Sequence, residues 1–446
     1  MKSQPVVLRG ARVVDPVQGL DGIRDVRIAA GRIAAIDTDL PIDGAVPVDV
    51  PAGLVLCPGF IDMHVHLREP GQEHKETIAT GVAAAVAGGF VGVACMPNTD
   101  PVNDHAGVTE EIVRKAAASN LARVYPIGAV SVGSKGERLT EIRELCAAGC
   151  VAVSDDGHPV ADSLMMRRAL EYVSMFDIPV INHCEDLSLK GDGVAHEGHR
   201  AAALGLRGIP GAAEAVMVER DVTLSELSGG AVHIAHMSAA GSLRAVRSGK
   251  ERGIRVTCEV TPHHLILTDD ELTYDTNYKM NPPLRSATDR DAMLDGLRDG
   301  SIDVIATDHA PHHADEKAVE FDRAPFGIIG LETAVPLALD RLLHGGVISL
   351  RRLVELFAPN PARILGVDGG TLKPGSAANI TVLAPEVTAE IRADDFRSKA
   401  RNTPFDGWQL RGSVAATFID GRVVYTNDAV PGVGSLDACA SSAWLS

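Results

Sequence analysis

The sequence predicts an α/β protein: a (β/α)8 barrel, TIM-like in its repeat, carrying a small β-sandwich domain formed by both chain ends. Three observations predict it. Between residues 58 and about 368, eight short apolar runs alternate with helical patterns. Each run ends in a polar, often metal-competent cluster. Similar glycine-centred hairpin signals lie near the two ends, Ile28-Ala-Ala-Gly31-Arg-Ile33 and Phe418-Ile-Asp-Gly421-Arg-Val423. Eight β-then-α units close into a barrel whose active site lies at the C-terminal ends of the strands.

The elements follow in order. Residues 1–57 read as all-β, with short alternating runs at Val6–Leu8, Ala11–Val14, Val26–Ile28 and Ile33–Ile36. Near the other end, Gly370–Gly375 leads into Ile380–Leu383. Residues 1–57 and 369–435 are therefore read as one composite β domain, and 58–368 as the barrel. Residues 436–446, rich in Ser, Ala and Gly, are read as a loose tail. The barrel strands end at His64-Val-His66, Met96-Pro-Asn98, Ile127–Val130, Ser154-Asp-Asp156-Gly, Asn182-His183-Cys-Glu185, His236-Met-Ser238, Thr261-Pro-His-His264 and Thr307-Asp308-His309. Amphipathic stretches such as Thr109–Ser119, Leu164–Met175 and Ala287–Leu297 supply the helices. The barrel span exceeds the roughly 250 residues usual for this architecture, so its loops should carry insertions.

Composition narrows the function. A formal charge of −17 argues against sequence-independent nucleic-acid binding, which needs a basic footprint. It also means that an anionic substrate must meet local positive charge, from metal ions or arginine. The seven cysteines are scattered, and Met1-Lys-Ser-Gln-Pro opens no apolar signal core. We read free thiols and a cytoplasmic protein. Cys146 and Cys150 lie four apart on one expected helix, a spacing that suits a small apolar pair better than zinc. Residues 77–98 carry no charge, which is long enough for a membrane span. Gly88-Gly89 divides that stretch, so it reads as a helix followed by strand Val91–Met96.

The strand ends carry the chemistry. His64 and His66, two apart on a strand, point to one face and can share a metal ion. His183 and His236 each end an apolar run; a lone strand-end histidine is as readily structural, but four on one rim support one another. His233, an odd number of residues from His236, is expected to face away. Either Asp155 or Asp156 could bridge two cations, the other then contacting backbone; residue spacing does not choose between them. Asp308 could cap the next segment, ligate metal, or carry a proton to a leaving nitrogen.

Residues 58–76, Pro-Gly-Phe-Ile-Asp-Met-His-Val-His-Leu-Arg-Glu-Pro-Gly-Gln-Glu-His-Lys-Glu, resemble the signature of class I dihydroorotases of the amidohydrolase superfamily. The likeness continues at Met96-Pro-Asn-Thr99, Ser154-Asp-Asp-Gly157, Asn182-His-Cys-Glu185, Glu259–His264, Lys279–Arg285, Thr307–His312 and Pro325–Glu332. It implies zinc-dependent, reversible hydrolysis of (S)-dihydroorotate to N-carbamoyl-L-aspartate, a step of de novo pyrimidine synthesis. It implies that His64 and His66 hold one zinc, His183 and His236 a second, and that Asp156 bridges them. Asp308 would be the metal-proximal acid/base and catalytic residue. Arg68 and Asn98, with His66 beside them, would bind the substrate carboxylate; Asn281, His312, Phe326 and Gly327 would hold the ring. His263, His264 and His309 are read as structural.

Hydantoinases, dihydropyrimidinases and allantoinases are the nearest rivals. They typically carry a carboxylated lysine at the end of strand four, where this chain has Ser154-Asp-Asp156. A rival of another class is a non-catalytic dihydroorotase-like scaffold for aspartate transcarbamoylase; such proteins lose metal ligands that this chain retains. The expected partners are a small-molecule substrate, one or two zinc ions and a second copy in a homodimer. Association with aspartate transcarbamoylase is left open, and neither nucleic acid nor membrane is expected.

Overall fold

The computed structural model describes residues 4–439. Eight parallel strands run in chain order around a nearly closed barrel: Phe60–Val65, Phe90–Cys95, Arg123–Gly128, Ala152–Val153, Val180–Asn182, Val232–Ile234, Val256–Val260 and Val304–Ile305. The first and last strands meet just beyond their ends. Val65 bridges His309 in parallel, and the His66 amide donates to the His309 carbonyl at 2.8 Å.

The alternation of strand side chains sorts residues into two layers. Ile61, Met63, Ala94, Met96, Ile127, Ala152, Ile181, Ala235, Val304 and Ala306 fill the barrel interior, and Ala362 and Leu365 join them. The opposite faces pack against the helices in the largest apolar cluster. In the first strand the pairing with its neighbour shifts between Asp62 and Val65. Past that irregularity the inward side passes to His64 and His66, as a bulge allows.

Helix limits follow local chemistry. The hydroxyl of Ser286 accepts the Asp289 amide ahead of helix Ala287–Asp299, and Gly300 ends that helix at φ 84°. In the uncharged 77–98 stretch, helix Ile78–Ala87 gives way to strand Phe90–Cys95. Gly88 is required by crowding: a Cβ there would lie 2.0 Å from the Leu331 carbonyl oxygen. No described helix is long and apolar enough to cross a membrane. Helix Ile142–Ala148 ends before Cys150, so the two cysteines do not share a helix as expected. Gly149 takes φ 118° and stops it, and the Cys150 thiol lies 3.4 Å from the Thr109 hydroxyl.

Both chain ends build the second sheet. Its order runs Arg422–Thr426, Gln409–Ile419, Ile380–Glu390, Val55–Pro58, Val6–Asp15, Leu20–Ala29 and Arg32–Asp37, with Val46–Asp49 also paired to Val6–Asp15. The two expected hairpins meet: Ala378 donates to Gly31 O, and Gly421 donates to Ala378 O. These strands fold round one apolar cluster that includes Leu8, Ile28, Ile380 and Phe418. Of the expected tail, Leu436 and Cys439 instead join this cluster from the 3-10 helix Val433–Cys439. Residues 440–446 lie outside the described residues.

Strand Val55–Pro58 runs through Gly59 directly into the first barrel strand. The junction is stapled by Thr381, whose hydroxyl accepts the Phe60 amide at 3.1 Å and donates to Gly89 O at 2.6 Å. Just past this junction Phe60 stacks on Phe357, centroids 5.2 Å apart, with Phe90 tilted against Phe60 and edge-on to Phe357. Phe60 is fully buried. Phe60→Ala should therefore destabilise the chain by about 3–5 kcal/mol, read as a lower denaturant midpoint at unchanged slope.

Candidate active site

Six side chains from five strand ends converge on the C-terminal rim: His64, His66, Asp156, His183, His236 and Asp308, all buried. Of the paired aspartates, Asp156 faces the cluster. Asp155 turns away and accepts the Ser131 amide at 3.0 Å and its hydroxyl at 2.5 Å. Asp156 Oδ2 lies 3.5 Å from both His64 Nε2 and His66 Nε2. Its other oxygen lies 3.4 Å from His236 Nε2 and 3.7 Å from His183 Nδ1. One carboxylate therefore addresses both histidine pairs. His183 Nδ1 and His236 Nε2 are 2.9 Å apart. In each trio, His64–His66–Asp156 and Asp156–His183–His236, the candidate ligand atoms lie within 4.8 Å of one another. Asp308 Oδ1 adds a sixth donor, 3.1 Å from His66 Nε2 and 3.5 Å from His64 Nε2. It belongs to the first trio's side alone.

The remaining ring nitrogens are held from behind. His64 Nδ1 lies 2.7 Å from Glu259 Oε1, a buried carboxylate that can only accept. A ring proton therefore sits on Nδ1 and turns Nε2 toward the cluster. His66 Nδ1 meets the Asn98 amide oxygen at 2.9 Å with the same result. His183 Nε2 is backed by Glu185 Oε2 at 3.5 Å, and Lys190 pairs with that carboxylate at 2.7 Å. His233 does lie off the cluster, but it is buried and bonds Glu259 Oε2 at 3.2 Å. Outer carboxylates of this kind fix tautomer and ring angle and raise ligand basicity.

Burial and charge pull these groups in opposite directions. Burial alone would favour the uncharged forms. At His64 it is outweighed by Asp156, Glu259 and Asp308, which hold the imidazole well above its usual range. At Asp156 it is outweighed by His64, His183 and His236, which hold the carboxyl well below its usual range. Glu259 is likewise held at about 2, burial opposing and His64 and His233 prevailing. The carboxylates are thus ionised at neutral pH.

The cavity in front of the cluster measures about 200 Å3. Arg68, Asn98, Asn281, Phe326 and Gly327 line it with five of the six donors. His312 stands just behind, its Nε2 2.8 Å from Phe326 O. Arg68 is buried, its Nε donating to Pro311 O at 3.1 Å. Burial lowers its pKa to about 10, which leaves it charged. Asn281 holds its amide nitrogen 3.2 Å from Glu185 Oε2, and its Oδ1 is buried without a partner. Three rim residues take positive φ, Arg68 at 61°, His236 at 28° and Asp308 at 48°. Such left-handed backbone clusters at functional sites, where the surroundings over-determine it.

Sequence reading missed Glu259, Glu185 and Lys190. Glu259 ends strand seven as His64 ends strand one, and that strand-end position was the available signal. Glu185 and Lys190 carry no comparable signal, because their roles depend on neighbours distant in the chain.

Fold and site together define a barrel hydrolase of the amidohydrolase type with a preformed cluster of donors that could hold metal. Comparison with solved structures agrees on the fold. L-hydantoinase (dihydropyrimidinase) from Arthrobacter aurescens superposes with a TM-score of 0.83 at 24% identity, covering 96% of each chain. Dihydropyrimidinase from Brevibacillus agri gives 0.80 at 22%, covering 97% of each. Sequence is more specific. The Dihydro-orotase-like family model matches residues 53–242. Dihydroorotase of Geobacter metallireducens is 52% identical over 421 residues, 94% of this chain and 99% of that protein. Dihydroorotase of Anaeromyxobacter dehalogenans is 54% identical over 433 residues, 96% of this chain and 99% of that protein. The chain belongs to the dihydroorotase family.

The outer carboxylate offers a direct test of the cluster. Glu259→Gln keeps the shape but removes the charge behind His64. Metal affinity should fall about 10–100-fold, measured by competition with a chromogenic chelator, with the fold intact by circular dichroism.

Proposed function

We propose that this protein is a zinc-dependent dihydroorotase, converting (S)-dihydroorotate and N-carbamoyl-L-aspartate reversibly in de novo pyrimidine synthesis. The observation that carries this is Asp156, whose two oxygens face two histidine pairs beside a pocket walled by Arg68. The relatives named Dihydroorotase, 52% and 54% identical over nearly the full chain, support the choice of substrate.

The residues fit the metal. His64 Nε2 and Asp156 Oδ1 are buried with no hydrogen-bond partner, a costly arrangement unless a cation completes it. Four imidazoles and two carboxylates are a donor set that suits zinc. His64 and His66 would hold one ion and His183 and His236 a second, with Asp156 serving both and no carboxylated lysine required. Bound zinc would polarise the ring carbonyl and make water nucleophilic at neutral pH.

The chain's own groups do the rest. Arg68 presents a planar, charged fork that matches a carboxylate with paired hydrogen bonds. Asn98 works beside it. Asn281 has a free acceptor oxygen at the pocket, and His312 braces from behind the Phe326–Gly327 backbone that would face the ring. As water adds to the ring carbonyl carbon, Asp308 takes the proton that water loses. As the carbon–nitrogen bond breaks, Asp308 returns that proton to the departing nitrogen. The reverse direction uses the same group with opposite proton traffic.

Hydantoin hydrolysis is the second reading, since structural neighbours of that activity share the fold. Asp156 at the end of strand four and Arg68 in the pocket favour dihydroorotate. We further read the chain as a cytoplasmic homodimer.

Assay of zinc-loaded protein should show turnover of dihydroorotate and carbamoyl aspartate, and little of hydantoin or allantoin. The opposite preference would overturn the reading. Asp308→Asn should lower kcat about 10²–10⁴-fold while zinc content changes far less. Metal-stripped protein should also regain activity with zinc alone in bicarbonate-free buffer, because an aspartate needs no carbon dioxide to become anionic. Recovery that required bicarbonate would point to a carboxylated lysine.

A further inference from the structure

Residues 391–408 leave the terminal sheet between strands Ile380–Glu390 and Gln409–Ile419, and return where Glu390 pairs with Gln409. This excursion docks on the barrel rim. Glu332 accepts the amides of Arg397 at 2.9 Å and Ser398 at 3.1 Å. Glu76 accepts the Ser398 hydroxyl at 2.5 Å and the Lys399 amide at 3.2 Å. At the inner end sits Asn402, buried.

Every polar atom of the Asn402 side chain is used. Its Nδ2 donates to Ala310 O at 3.0 Å and to Gly327 O at 3.1 Å, and its Oδ1 accepts the His312 amide at 3.2 Å. Its own carbonyl accepts the Ile329 amide at 3.0 Å. Ala310 and Gly327 line the cavity, and His312 backs it. Gly327 takes φ 125° and packs close: a Cβ there would lie 2.6 Å from that of Ala310. One carboxamide thus joins the two sides of a crowded pocket wall. Only a group with two donors and one acceptor satisfies all three partners.

We infer that Asn402 is a positioning residue for substrate recognition: it sets the spacing between the Ala310–His312 segment and the Phe326–Gly327 backbone that together meet the ring. It touches neither the donor cluster nor the open cavity. The inference rests on the dihydroorotase reading. Because Ala310 also donates to Ile328 O at 2.8 Å, the two segments stay paired without Asn402, and its loss should loosen the wall and leave the fold intact.

The test is a double-mutant cycle on zinc-loaded enzyme with Asn402→Asp, His312→Ala and both together. Asp keeps the acceptor but turns an oxygen toward two carbonyls. Alone, it should raise KM for dihydroorotate about ten-fold, with kcat within about three-fold of the parent and zinc content unchanged. In the His312→Ala background the same change should raise KM by a smaller factor, since the share carried by the displaced His312 is already absent while Gly327 still shifts. Should Asn402→Asp fail to fold, Asn402→Ala takes its place in the cycle. Equal rises in both backgrounds, an unchanged KM, or a loss confined to kcat would overturn the assignment. A parent enzyme inactive on dihydroorotate would instead overturn the underlying reading.

Discussion

Two buried carboxylates facing four buried imidazoles form the constraint from which the rest of the site follows. Asp156 and Asp308 lie at 3.1–3.7 Å from the ring nitrogens around them. Isolated charges at such depth are prohibitive, and they persist only when paired or when they ligate metal. The barrel supplies that pairing from separate strand ends, and each strand must hold its own donor within a fraction of an ångström. That demand accounts for the outer layer of Glu259, Glu185 and Asn98, each of which turns one ring. It also accounts for the left-handed backbone at His236 and Asp308, where donors leave their strands.

Much of this was legible in the sequence because barrel geometry converts strand ends into neighbours. His64, His66, His183, His236 and Asp308 each close an apolar run, and the topology alone places run ends on one rim. The composite sheet was legible for a different reason. Hairpins of similar pattern at opposite ends of a chain point to one shared sheet, and the two segments join it where Ile380–Leu383 pairs with Val55–Pro58.

What escaped reading was set by contacts distant in the chain. The choice between Asp155 and Asp156 depended on Ser131, 24 residues away, which captures the first of them. Glu259 resembled any buried strand residue until His64 lay against it, 195 positions earlier. The bulge near Asp62 altered which residues of strand one face inward, and no periodicity count anticipates such a shift. The excursion at 391–408 lacks a strong pattern because it is held by carboxylates of other elements, Glu76 and Glu332.

The sheet shared by both ends also orders events during synthesis. Strand Val55–Pro58 lies between Val6–Asp15 and Ile380–Glu390, so one of its edges has no partner until the ribosome has made residues 380–383. Until then an apolar edge of Val55, Leu56 and Cys57 stays open, next to the first barrel strand. Open apolar edges recruit other strands, and contacts across more than 300 residues form slowly. The nascent N-terminal segment must therefore wait, partly assembled, while the whole barrel is made. Any truncation before residue 380 would leave that edge open for good.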